Sequence, residues 1–172
     1  MKTLLGIVVV LAFGAMTAAC RGGDGRLSRE QYFTRMQATV DDAARRFSEL
    51  GDDRARASNG TLDFSARKGA SRTFLGRYAE IVADTHNRLA SIRPPSDLTL
   101  AHDHLVEAQA AFQSLVDKAK TAAAGAESGA QLEDAFTAFG ADFSVTQGGF
   151  RLACNALQKL AVESSITVDL RC

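Results

Sequence analysis

Four stretches of this chain place apolar or small residues at alternating steps of three and four. That spacing constrains the fold more than any other feature. The longest run is Leu132, Phe136, Phe139, Phe143, Thr146, Phe150, Ala153, Leu157 and Leu160. A helix returns to the same face about every 3.6 residues, whereas a strand alternates every second one, so this run is one stripe of one helix. The spacing predicts a helix from about Ala130 to Ser165. Its register passes through Gly148-Gly149, which is expected to mark close packing beside Phe150 or a kink; the alternative is an opening that admits an apolar ligand. A second run, Leu98, Ala101, Leu105, Ala108, Phe112, Leu115, Ala119 and Ala122, predicts a helix that ends before Gly125.

The first helix starts at Ser28. Ser28 and Gln31 have capping-box spacing, and Leu27 can staple onto Tyr32. Phe33, Met36, Val40, Ala43, Phe47 and Leu50 then form its stripe, and Gly51 reads as a stop. The stretch from Gly51 to Gly69 has only Leu62 and Phe64 as large apolar residues and includes Asn59-Gly60, so it reads as a long connection with room for a turn of helix. The next helix is expected from about Ala70 to Ile92, with Phe74, Tyr78, Ile81, Val82, Thr85, Leu89 and Ile92 inward. Pro94-Pro95 ends it, because proline cannot continue the helical ladder. Ser96 or Asp97 is placed to cap the helix that follows. After Ser165, Ile166 to Cys172 is apolar at alternate positions and predicts an extended tail lying back along the helices. The expected fold is all-α: an antiparallel four-helix bundle with a short extended C-terminal tail. The absence of tryptophan and the presence of only two prolines agree with helices over sheet.

The chain begins with Lys2, an apolar run from Leu4 to Phe13, and small residues at Thr17-Ala18-Ala19. That is the layout of an export signal, and its apolar block falls short of the roughly 20 residues a spanning helix needs. Cys20 directly after the small residues resembles the lipobox of bacterial lipoproteins, which implies a diacylated Cys20 as the mature N-terminus. Thr17 and Ala19 also suit an ordinary signal peptidase, which would leave a free exported protein; an uncleaved anchor is the third reading. The expected division is residues 1–19 signal peptide, 20–27 lipid-anchored flexible tether (Arg-Gly-Gly-Asp-Gly-Arg is too polar and glycine-rich to bury a core) and 28–172 the helical domain.

There are three cysteines, Cys20, Cys154 and Cys172. An odd thiol is awkward in an exported protein. With lipid on Cys20, the other two are free to pair in an oxidising compartment. The bridge would close a loop of roughly 18 residues and contribute about 3 kcal/mol. The alternative is a buried Cys154 and a free Cys172.

Several short motifs run through the chain: Leu27-Ser28-Arg29-Glu30-Gln31-Tyr32, Ile92-Arg93-Pro94-Pro95-Ser96-Asp97-Leu98 leading to His102-Asp103 and Leu105, and Ala153-Cys154-Asn155-Ala156-Leu157-Gln158 closing on Val168-Asp169-Leu170-Arg171-Cys172. In these the chain resembles uncharacterised secreted or lipid-anchored helical proteins of bacteria. The resemblance implies export and a Cys154–Cys172 pair, and it implies no activity.

Candidate chemistry is sparse. His104 and Glu107 lie three apart on one side of a helix and are the weak metal candidates; His102 and His104 flank the core positions Ala101 and Leu105, so a solvated face is expected. His86 is expected at the core edge. Asp52 and Asp53 lack the repeated oxygen ligands of a calcium loop. No nucleophile elbow or phosphate loop is present. Lys+Arg and Asp+Glu are 20 each, which gives no electrostatic reason for nucleic-acid binding. The expectation is a non-catalytic interaction or structural module without cofactor, whose partners are a membrane, through the lipid, and another envelope protein. A carrier of an apolar ligand or metal is the alternative.

Overall fold

A computed structural model describes residues 25–172. The expected signal peptide, Cys20 and the tether up to residue 24 lie outside the described residues. The chain is all-helical. Among the described residues there are five α-helices and no strand: α1 Arg29–Ser48, α2 Gly51–Ala57, α3 Phe64–Ala90, α4 Thr99–Gly125 and α5 Gly129–Glu163, with a 3-10 turn at Ser96–Leu98.

Helix starts follow local chemistry. The Ser28 hydroxyl accepts from Gln31 N–H at 3.2 Å, and the Gln31 side chain accepts from Ser28 N–H at 3.1 Å. These reciprocal bonds satisfy two of the donors that a helix start leaves open. Asp63 caps α3 by accepting from Ala66 N–H, and Ser128 caps α5 by accepting from Gln131 N–H.

The long connection expected at 51–69, with room for a turn of helix, does hold a short helix, but the irregular part shrinks to 58–63. α1 ends at Ser48, just before Gly51 as expected; α2 starts at Gly51, and α3 starts at Phe64 rather than Ala70. The apolar pattern misses α2 because its anchor is charged. Asp53 is only 4% exposed and is held by Arg56 and by Arg77 of α3. The Arg56 hydrogen bond, with Arg77 beside it, holds the Asp53 carboxyl below the usual carboxylate range despite its burial. Neither Ser96 nor Asp97 caps α4; those residues turn as 3-10 and the cap position is Leu98, without a side-chain bond. Ala122, expected inward, is exposed, and Ala123 and Ala126 take the inner positions.

Three clusters make the core. At one pole Tyr32, Phe33 and Met36 of α1 meet Leu89, Leu105 and Leu157 of the three other long helices. At the far pole Leu50, Phe74, Leu75, Ala123 and Leu132 pack together, and Ala57 of α2 joins them. Between lie Ala79, Val82 and Val116 with Phe47, Tyr78, Phe112 and Phe139 around them. Each pole joins the start of one long helix to the end of the next, so α1, α3, α4 and α5 alternate in direction. Residues 166–172 carry no helix. Leu170 is 1% exposed in the first cluster. Gln158 of α5 donates to Val168 O at 2.9 Å and accepts from Leu170 N–H at 2.8 Å. Toward α1, Asp169 N–H donates to Gln37 at 2.5 Å and Arg171 to Asp41 at 2.7 Å. Cys154 and Cys172 form a disulfide across a separation of 18 residues.

The disulfide holds the 166–172 segment against α5, and that segment in turn meets α1. Replacing both cysteines by serine is expected to lower unfolding free energy by about 2–4 kcal/mol in a denaturant titration, and to make this segment the first to be cut by protease. Unchanged stability in the double variant would show that the segment seats without the bond.

Candidate functional site

The pole where the described chain begins gathers several polar side chains around the entry to α1. Gly25 has φ +74°, and a Cβ there would lie 2.8 Å from the Arg93 guanidinium. Glycine takes this left-handed backbone without the strain an L side chain would meet. Leu27 N–H donates to Arg93 O at 3.1 Å. Arg26 donates to Pro94 O at 3.2 Å and to Thr99 Oγ1 at 2.9 Å. Arg29 pairs with Asp97 and also donates to Ser164 at the end of α5. Residues 25–27, expected as the last of the tether, are therefore in contact with the Pro94–Pro95 turn. Beside them is an open cleft of about 410 Å³, lined among others by Arg26, Arg93, Thr99, His102 and Val106.

His102 corrects the sequence reading. Instead of flanking the core it is 3% exposed, and its Nδ1 lies 3.1 Å from the Tyr32 hydroxyl. Tyr32 is itself fully buried, with its ring edge-on to Phe33. Burial disfavours charge on both groups. It pushes the His102 pKa down, with Asp103 opposing, and pushes the Tyr32 phenol well above its ordinary range, with Asp103 adding to the rise. The hydrogen bond thus joins two neutral rings. It pins α1 to α4 and leaves neither polar atom stranded.

His104 and Glu107 are both exposed, and no group of three potential metal ligands occurs among the described residues. His86 is half-buried, and its buried Nδ1 makes no hydrogen bond. Of the α5 phenylalanines, Phe136 and Phe150 pack against the core clusters, while Phe139 and Phe143 meet other rings. Phe139 contacts Phe143 at 5.6 Å and Tyr78 at 6.5 Å; Phe143 contacts Phe112 at 5.5 Å; Tyr78 contacts Phe47 at 4.9 Å. Such separations and tilted or edge-on geometries are favourable for aromatic pairs. Burial pushes the Tyr78 phenol up to about 12. Close packing at Gly148-Gly149 is corrected: both are exposed, and a Cβ on either would meet nothing within 4 Å.

No sequence signal marks the Tyr32–His102 pair, since the partners are 70 residues apart. No helix among the described residues is long and apolar enough to cross a membrane. Comparison with family models, with curated proteins and with solved structures finds no match to this chain.

The two neutral rings set a pH window. An unfolded histidine takes up its proton near pH 6.5, before the buried His102 does, so stability is expected to fall as pH drops below about 6.5. The raised Tyr32 keeps its contribution below about pH 10 and loses it above, where the unfolded phenol ionises first. Paired Asp41, Asp42 and Asp53, all held low, lose theirs only below about pH 4. Thermal midpoints measured from pH 4.5 to 8 should flatten in His102→Gln. Tyr32→Phe strands the buried Nδ1 and should cost about 1–3 kcal/mol. Joint replacement of the exposed His104 and Glu107 by alanine should change stability by less than about 1 kcal/mol.

Proposed function

We propose that this chain is an extracytoplasmic membrane-anchored lipoprotein: a non-catalytic helical module, diacylated at Cys20, that acts by contact with another protein of the cell envelope. The observation that carries the reading is the Cys154–Cys172 disulfide. It uses two of the three cysteines, so the one that remains is Cys20, directly after the export-signal pattern. A disulfide also suits an oxidising compartment.

In this reading α1, α3, α4 and α5 form an antiparallel four-helix bundle, with α2 as an appendage at the far pole and residues 166–172 as an extended strap. The contacts of Gly25, Arg26 and Leu27 with the Pro94–Pro95 turn support an anchored pole from which a short tether departs. Two acyl chains on one cysteine are what stable membrane attachment takes.

Replacing Cys20 with serine is therefore expected to move the protein from the membrane pellet to the soluble fraction, and metabolic labelling with a fatty acid should disappear with it. Unchanged sedimentation with membranes in the serine variant would refute lipid anchoring and point to an uncleaved helix or a protein tether.

A further inference from the structure

The outer face of α5 carries a second stripe of alternating four and three steps, which the chain's own core does not use. Ala138, Ala141, Val145, Gly148 and Leu152 lie on it, and all are exposed; Val145 is 78% and Leu152 74% exposed. Asp134 begins the stripe and Lys159 ends it. The glycine pair belongs to this face. Glycine disfavours helix relative to alanine, and a Cβ on Gly148 or Gly149 would touch nothing in the chain. No internal contact asks for glycine here, whereas a second helix lying close across this face would.

We infer that α5 docks against α5 of a second copy of this chain, antiparallel, about a two-fold axis between residues 146 and 147. The size pattern is self-complementary in that register. Val145 falls opposite Gly148 of the other copy, Leu152 opposite Ala141, and Asn155 opposite Ala138, so each larger side chain meets a smaller one. The charge pattern agrees. Asp134, which has no ion pair among the described residues, falls opposite Lys159 of the other copy. Lys159 is held in its own chain only by an exposed contact with Glu163 at 3.8 Å. Of the edge residues, Asp142 lies beside Gly149 and Arg151 beside Ser144, so like charges do not meet. A parallel pairing fails on the charges: Asp134 would oppose Asp134 and Lys159 would oppose Lys159. Alternating steps of three and four suit a shallow left-handed crossing, in which a pair of antiparallel helices is in contact over the whole stripe. The stripe spans about 38 Å at 1.5 Å per residue. A contact made by one helix from each copy suits a reversible dimer.

Charge reversal tests the register. Sedimentation of the purified chain over a concentration series should show a monomer–dimer equilibrium. Asp134→Lys alone and Lys159→Asp alone should each weaken dimerisation about tenfold, because each places like charges opposite one another, and the two together should restore it. Restoration also separates this contact from association through the apolar stretch at residues 4–19, which the swap does not touch. In a Cys20→Ser background, a mixture of Ala141→Cys and Leu152→Cys chains should form a disulfide-linked dimer, and neither chain should do so alone. A monomer at every concentration up to about 1 mM, a double swap that fails to restore, or cross-linking by Ala141→Cys alone would each overturn the proposal. Circular dichroism of each variant checks that the helices persist.

Discussion

Leu170 sits between the first and last helices and is almost wholly buried there. The described backbone of α1 runs principally against α3, and that of α5 against α4, so the seam between α1 and α5 needs filling by something else. Residues 166–172 fill it. Burying one leucine is worth about 1.5–3 kcal/mol, yet its structural reach is greater, because Tyr32, Phe33, Met36, Cys154 and Leu157 share the same cluster. The disulfide and the two hydrogen bonds to Gln158 hold Leu170 on α5, while Gln37 and Asp41 bring α1 up to it.

The far pole is organised by charge as much as by apolar burial. Asp53 fixes α2 onto α3 through Arg56 and Arg77. Nearer the first pole, Asp42 and Asp84 share Arg46 and Arg88 across the α1–α3 contact. Exposed pairs of this kind contribute little singly. A carboxylate as buried as Asp53 differs: removing either arginine would leave a charge inside with less compensation than it needs. Ion pairs occur at both poles, and the 166–172 segment is particular to the first. Between the poles the aromatic rings of α3, α4 and α5 touch edge to face, and Phe47 of α1 meets Tyr78 at a tilt.

Much of this was legible in the sequence, and the rest was not, for identifiable reasons. The alternating three-and-four spacing located the inner faces of all four long helices, and the Ser28–Gln31 capping box marked the start of α1. Cysteine arithmetic selected Cys154 and Cys172. Periodicity failed at α2, because it reads apolar side chains and the residue that holds α2 in place is an aspartate. It failed at His102 for a related cause: a histidine next to a core position turns inward only if a partner awaits it, and Tyr32 lies in another helix. Gly148 and Gly149 broke the usual inference from glycine to close internal packing, since the space beside them opens outward. Of the candidate site residues, His104 and Glu107 were legible as an exposed pair, while Cys20 precedes the described residues.

The contacts at Gly25 have a mechanical consequence. A chain that entered α1 directly would pass any pull from its N-terminal side straight into the first turn of that helix, where capping bonds are few and exposed. Here the load path is diverted. Arg26 and Leu27 hand it to the backbone of Arg93 and Pro94, where two successive prolines limit how far the turn can give. Arg29 spreads what remains to Asp97 and to the end of α5. The arrangement works as strain relief does on a cable: tension on the lead is carried by the housing, and the Ser28–Gln31 cap is spared.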